Sequence, residues 1–466
     1  MVLFFACLFC TASLFSQVSA IVDLPEFVKD NLPGFTTTRL SNGIPVYIKR
    51  NDANRVRNIS FVLKGGSLTA DPDQAGWQKI ALATMTRASA NHSYEKVVEL
   101  LDATSSSIGS SVNFEYGSLS LNVLDKYFDR LLPVWADMIV HPAFAESDFD
   151  QAKSEVELAI QSKEQDPWAL AGKVMNEAFF KGHPYSINPD GTEASVARAT
   201  SGAMMRWYEN NVSADRSFIV AVGDFDAQEL RKALDSILGT LPDKALGPIP
   251  RPQSFSGRIP GGLIREPHEA SRGVAYLRGD FSAPAPTARD FMAANVAMKL
   301  FSDLLFSVVR DGYGAVYSPG AVVRSFGANY GSISIYKTSA TDLIKAYIDE
   351  TASIFSSGRC VSVDPSRPGE ESKFMKVDEA LDTYKRMFIN EYFAAVRTNS
   401  AIARLMIGSV IRTGDPSDWL FDVVRIRALA PEEILGAFET YVRKGQFTWV
   451  AVGDPALLEK MPEEAY

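Results

Sequence analysis

A six-residue run that occurs twice constrains this chain more than any other feature. Ile219-Val220-Ala221-Val222-Gly223-Asp224 returns as Trp449-Val450-Ala451-Val452-Gly453-Asp454. Each copy is a short apolar, largely β-branched run stopped by Gly-Asp, the pattern of a buried strand entering a turn. An amphipathic helix is expected before each copy, over Ser201 to Asn210 and Pro431 to Arg443. A helical stretch follows each, over Ala227 to Leu238 and Ala456 to Lys460. Pro431-Glu432-Glu433 puts a proline and two acids in a first turn, where fixed φ and the helix dipole favour them. Earlier strands correspond too: Asn58 to Leu63 closes on Lys64-Gly65-Gly66, and Gly273 to Arg278 closes on Gly279-Asp280. Matching flanks favour duplication over coincidence.

At 466 residues the chain exceeds one ordinary core, so two like halves are expected. The stretch 242–258, with Gly247-Pro248-Ile249-Pro250-Arg251-Pro252, reads as an extended linker between them. Residues 1–20 read as a signal peptide, 21–241 as the first half and 259–466 as the second. Within the first half, strands are expected over Arg39 to Lys49 (with a turn at Ser41-Asn42-Gly43), Asn58 to Leu63 and Ser110 to Val123. Helices are expected over Trp77 to Ala88, Tyr94 to Thr104, Lys126 to Val140, Ser147 to Glu164 and Trp168 to Phe180. Strands clustered beside a run of helices imply an α+β fold, with mostly antiparallel sheets packed against helices.

Met1 to Ala20 carries no charge, is apolar, and ends Val18-Ser19-Ala20, a small-x-small site for signal cleavage. An uncleaved membrane anchor is the alternative, since no Lys or Arg precedes the apolar run. No later apolar stretch reads as a bilayer span, so an exported, periplasmic or extracellular soluble protein is expected. Cys7 and Cys10 fall in the signal, leaving Cys360 alone and no disulfide framework. The net charge of -9 argues against a nucleic-acid partner. Three sequons, at Asn58, Asn91 and Asn211, matter only in a glycosylating host.

Several pieces, in order, resemble the zinc-dependent peptidases of the pitrilysin and mitochondrial processing peptidase group, the M16 family. They are Leu40-Ser41-Asn42-Gly43-Ile44-Pro45-Val46, Gly65-Gly66-Ser67 with Asp71 to Gly76, His183-Pro184-Tyr185, Val222-Gly223-Asp224, Thr398-Asn399-Ser400 and Val452-Gly453-Asp454-Pro455. The resemblance runs from Phe35 to Pro455. It implies two homologous layered α/β rolls facing each other across a chamber that encloses an unfolded peptide.

Active members carry His-x-x-Glu-His on the first long helix, with both histidines on one face for zinc and the glutamate as base. A later glutamate completes the metal set. By the resemblance, those places hold Lys79, Leu82 and Ala83 here, and Ala159 stands at the distal place. An ammonium is no zinc ligand at neutral pH, and leucine and alanine offer no lone pair. No catalytic residue and no metal ligand is therefore assigned, and zinc is expected in a partner subunit. The helix itself keeps a core stripe of Trp77, Ile80, Ala81, Thr84, Met85 and Ala88. The four histidines, His92, His141, His183 and His268, are far apart in sequence and read as turn or surface residues. Glu155, Glu157 and Glu164 read as a solvated helix face.

Arg310 to Tyr317 resembles the family's Arg-x6-Tyr element, whose arginine and tyrosine hold the substrate backbone beside the zinc. Arg310 and Tyr317 are thus the candidate substrate-binding residues. Read locally, they are equally a helix-terminal cation and a half-buried strand residue. Members that keep this element without the zinc set resemble partner subunits of two-chain peptidases. The expectation is a non-catalytic subunit that walls half of a peptide chamber, pairs as a heterodimer with an HxxEH-bearing homologue, and meets a peptide substrate. A homodimer is a second assembly. The alternatives are a structural or peptide-binding scaffold with no proteolytic role, and a stand-alone metallopeptidase with an atypical site.

Overall fold

The computed structural model describes residues 26–250, 261–324, 326–362 and 373–463. The expected signal peptide and residues 251–258 of the linker lie outside these. Residues 242–250 carry no regular secondary structure.

Six strands form the first sheet: β1 (Phe35–Arg39), β2 (Pro45–Arg50), β3 (Val56–Lys64), β4 (Ser107–Val112), β5 (Tyr116–Leu124) and β6 (Ser217–Gly223). Five more form the second: β7 (Gly262–Pro267), β8 (Ala275–Ser282), β9 (Val316–Val323), β10 (Tyr330–Thr338) and β13 (Phe447–Gly453). A small hairpin sheet pairs β11 (Arg359–Val361) with β12 (Phe374–Lys376). The orders are β1-β2-β6-β3-β5-β4 and β7-β13-β8-β10-β9. Apart from the extra β1, the two sheets match strand for strand. In each, one parallel pair joins the repeated hexapeptide to its neighbour (β2 with β6, β7 with β13), and the other pairings are antiparallel. The duplication expected from the hexapeptide is thus present as topology, in an α+β layered fold.

The hexapeptide is apolar throughout because both faces of its strand are covered, and β6 is buried along its whole length. On one face Ile219 and Ala221 join Ile59, Phe61, Leu119 and Leu121 beneath helices of the first half. On the other face Val62, Phe218, Val220 and Val222 meet Ile402, Met406 and Ile407, which come from the second half.

Five helices matter for the site: α1 (Trp77–Met85), α2 (Glu146–Gln165), α3 (Pro167–Phe179), α4 (Phe291–Leu305) and α5 (Asn399–Thr413). Their ends follow local rules. Thr398 caps α5 by accepting from Ala401 N, and Gly414 closes it at φ 81. Asp166 caps α3 by accepting from Trp168 N and Ala169 N, with Pro167 in the first turn.

The two halves exchange helices. While α5 lies on the first sheet, Ala171, Met175 and Phe179 of α3 pack on Tyr330, Val450 and Val452 of the second. Burying a side chain such as Met406 or Phe179 this way stabilises by roughly 1.5–3 kcal/mol. Asn399 fixes the crossing by donating to Val56 O at 2.5 Å and accepting from Asn51 Nδ2 at 2.6 Å. These sheet faces are therefore in contact with the opposite half. This corrects the expected chamber between the halves at these two faces, because apolar faces of this size collapse on each other rather than remain apart in water.

Phe291–Gly312 is long and apolar enough to cross a membrane, contrary to the expectation that no such stretch follows the signal. It is the core helix of the second half, with 67% of its apolar window buried by the fold. Cys360 is fully buried, and burial pushes its thiol up to about 12. Sequon Asn58 is buried in β3, where its amide donates to Asn122 Oδ1.

Candidate functional site

Gly76 opens α1 at φ +81, and an added Cβ there would lie 2.7 Å from Gly191 Cα. The loop 188–192 is thereby held against the start of the helix that carries Lys79, Leu82 and Ala83. The expected stripe is inward: Ile80, Ala81, Thr84, Met85 and Ala88 are buried. Leu82, however, is also buried, at 1% exposure. Its Cδ1 lies 2.6 Å from where a Cβ on Gly117 of β5 would stand, so leucine fills the gap that a glycine leaves in the strand. The place that the resemblance gives to the catalytic carboxylate is closed by packing.

Lys79 Nζ donates to Asp190 Oδ1 at 2.6 Å, and Lys163 Nζ donates to Asp190 Oδ2 at 2.5 Å. Lys163 lies one turn beyond Ala159 on α2, which packs against α1. Two ammonium groups on one carboxylate thus stand beside the positions where the resemblance places a metal. Burial raises the Asp190 carboxyl, but the bonds from Lys163 and Lys79 outweigh it and hold the group below the usual range. Ala83 and Ala159 are half-buried and bring no donor atom. Glu157 lies 3.9 Å from Lys153 Nζ and Glu164 accepts from Lys173 Nζ at 2.6 Å, so neither carboxylate joins Asp190. Asp190 itself carried no periodic or motif signal in the sequence.

Two histidines far apart in sequence do meet. His92 Nδ1 and His141 Nδ1 both approach Asp137, at 3.3 and 2.9 Å, where Ser89 Oγ donates at 2.5 Å and Asn91 Nδ2 at 2.9 Å. This is not a nucleophile-base-acid relay, because the serine proton goes directly to the carboxylate and both contact the same histidine nitrogen. Burial raises the Asp137 carboxyl, and the bonds from Ser89, His141, Asn91 and His92 bring it below the usual range. His183 caps the turn Pro184–Ser186 by accepting from Tyr185 N, and His268 pairs with Ser271 Oγ at 3.2 Å. Among the described residues no group of three or more His, Cys, Asp or Glu is placed to hold a metal ion.

The core helix α4 runs directly into a π-helical turn, Phe306–Gly312, that carries Arg310. Such turns recur at functional sites because they shift the register of the side chains that follow. The Arg310 guanidinium lies 4.4 Å from the Phe306 ring centre and 5.8 Å from that of Tyr317. Tyr317, on β9, is 65% exposed, which removes the half-buried strand reading. Its ring is 6.1 Å from Tyr336, and Tyr336 is 5.7 Å from Trp168 at the start of α3. A file of aromatic rings therefore joins the Arg310–Tyr317 pair to the end of α2, the helix of Ala159. Arg310 has no carboxylate partner among the described residues. Tyr313, by contrast, stacks on Tyr347 at 3.9 Å and donates to Glu350 Oε2 at 2.6 Å.

A residue that sequence reasoning passed over sits where the halves meet. Glu115 is buried, and its Oε1 accepts from Tyr185 Oη at 2.5 Å and from Gly327 N of the second half at 2.6 Å. Burial raises its carboxyl above the usual range, although Tyr185, Gly327 and the more distant Arg412 oppose this.

Two family models match the chain, "Insulinase (Peptidase family M16)" over residues 46–191 and "Peptidase M16 inactive domain" over 198–357. Subunit alpha of the mitochondrial-processing peptidase of Solanum tuberosum is 23% identical over 284 residues, 56% of this chain and 55% of that one. The non-peptidase homolog YmxG of Helicobacter pylori is 20% identical over 199 residues, 43% of this chain and 46% of that one. The chain thus spans about half the length of these curated relatives. A protease from Helicobacter pylori shares the fold at a TM-score of 0.78 with 14% identity, over 90% of this chain and 99% of that one. So does a peptidase M16 inactive domain from Pseudomonas fluorescens, at 0.74 and 17%, over 90% and 98%. Their names include both a protease and a non-peptidase. The chain belongs to the M16 peptidase family.

Proposed function

We propose that this chain is the non-catalytic partner in a two-chain M16 peptidase. It supplies one wall of a peptide chamber and substrate-binding groups, while an HxxEH-bearing homologue supplies zinc and base. One observation carries this reading: the positions that the resemblance assigns to zinc are closed by Leu82 and by the Lys79–Asp190–Lys163 cluster, while Arg310 and Tyr317 are exposed and have no carboxylate partner among the described residues. The guanidinium offers several fixed donors to peptide carbonyls, and the phenol can donate to a developing oxyanion. The direct clasp between the halves supports a second chain as the opposite wall. The relatives include an alpha subunit of a processing peptidase, which points the same way. Export to the periplasm or the extracellular space belongs to this reading, as do the boundaries 21–241 and 259–466 for the two halves.

The test is hydrolysis of an unfolded peptide by the chain alone, by an HxxEH-bearing homologue alone, and by the mixture. Zinc-dependent turnover should need the mixture. Arg310→Ala and Tyr317→Phe should each lower kcat by roughly tenfold or more with assembly intact, as removal of a transition-state donor does. Unchanged turnover would remove the proposed role of both residues. A second reading, a scaffold with no proteolytic role, is favoured by the relative named a non-peptidase homolog. Co-purification with unrelated subunits, and no turnover in any mixture, would select it.

A further inference from the structure

The π form occurs mostly as single turns set within other helices, so the turn that carries Arg310 has no repeating ladder of its own to hold it. Three amides fix its exit. Tyr313 N donates to Val308 O at 3.1 Å and also to Arg310 O. Gly314 N donates to Arg310 O at 2.9 Å, and Ala315 N to Val309 O at 3.1 Å. Gly314, at φ +62, then turns the chain toward β9. The carbonyl of Arg310 is thus pinned by residues 313 and 314. Its guanidinium has no ion pair among the described residues and is flanked by the rings of Phe306 and Tyr317. Where Arg310 points therefore depends on where Tyr313 stands.

Tyr313 is tied down from outside the turn. Its ring lies on that of Tyr347 with the centres 3.9 Å apart and the planes 13° from parallel. Its hydroxyl donates to Glu350 Oε2 at 2.6 Å. Tyr347 and Glu350 stand at i and i+3 on the helix Ile344–Ser356, and so share one face of it. That helix is fixed in turn by its other face, where Ile344, Ile348, Thr351, Ala352 and Phe355 are buried. A hydroxyl bonded to a carboxylate makes one of the stronger hydrogen bonds, and a stacked ring pair adds to it. Tyr313 is 47% exposed, so the two contacts fix a surface residue rather than fill the core.

We propose that Tyr313 is a positioning residue for Arg310: its grip on Tyr347 and Glu350 anchors the π turn, and the turn aims the guanidinium. The consequence for turnover rests on the two-chain peptidase proposed above, whereas the anchoring does not.

Two measurements separate these. In the chain alone, amide exchange at Tyr313, Gly314 and Ala315 should be roughly fivefold faster or more in Tyr313→Ala, with exchange in β6 unchanged. Tyr313→Phe, which keeps the stack and loses the bond to Glu350, should fall between that variant and wild type. In the mixture with an HxxEH-bearing homologue, Tyr313→Ala should lower kcat by a similar factor, and should lower it no further once Arg310→Ala is present, as for two residues acting through one group. Wild-type exchange at the three amides overturns the proposal, as does exchange that rises in β6 as much as in the turn. An equal loss of kcat with and without Arg310→Ala also overturns it, since Tyr313 would then act on something other than Arg310. A mixture without turnover, wild type included, contradicts the two-chain reading, and the exchange comparison then decides the anchor by itself.

Discussion

At the scale of single residues, the positions that the family resemblance assigns to zinc are closed by packing and charge. Leu82 is buried against Gly117, so Leu82→Glu alone places an unpaired carboxylate among apolar groups. It should cost about 2 kcal/mol or more in urea unfolding; wild-type stability would mean that the position is still open to a carboxylate. Glu115 gives a prediction in pH. Its carboxyl is raised in the folded state, so the stability tied to it is full below the ordinary glutamate range and fades as pH rises through the raised value. The stability difference between Glu115→Gln and wild type should therefore grow in favour of glutamine from pH 4 toward neutrality. A difference that stays flat, or runs the other way, would show that Glu115 ionises at no cost. Asp137 has the opposite sign: its depressed carboxyl contributes above the ordinary aspartate range, and that contribution is lost as pH falls through the lowered value.

At the scale of elements, the exchanged helices dominate. Met406 is fully buried on the first sheet although it belongs to the second half, so Met406→Ala should cost about 2–5 kcal/mol. The loss should be read in β3 and β6 as well, as faster amide exchange across the junction. Unchanged exchange there would mean that the halves are stable independently. The sequence revealed which segments are strands and helices because their periods are local: Tyr94 to Thr104 and Ala227 to Leu238 are helices over the expected spans. It did not reveal the exchange, since nothing local tells Met406 or Met175 which sheet it will cover. Nor could it foresee the π turn at Arg310, a defect in a pattern that otherwise continues the helix. The zinc positions were legible only through the family register, and their closure was not. Leu82 meets Gly117 and Lys79 meets Asp190 across long stretches of chain, where periodicity is silent.

At the scale of the whole molecule, two copies of one fold are locked by exchanged helices, and the place that the resemblance gives to a metal is filled by the chain's own side chains. Under the proposed function, the chamber is completed by a second chain, and hydrolysis uses that chain's zinc. The claim on which this rests is that the chain by itself holds no zinc at Lys79, Leu82, Ala83 and Ala159. Its most direct measurement is zinc content by elemental analysis, after equilibration with zinc and gentle chelation. Wild type is run beside a chain carrying Lys79→His, Leu82→Glu, Ala83→His and Ala159→Glu. Wild type should retain far less than one zinc per chain, whatever the substituted chain does. One tightly held zinc per wild-type chain would contradict it.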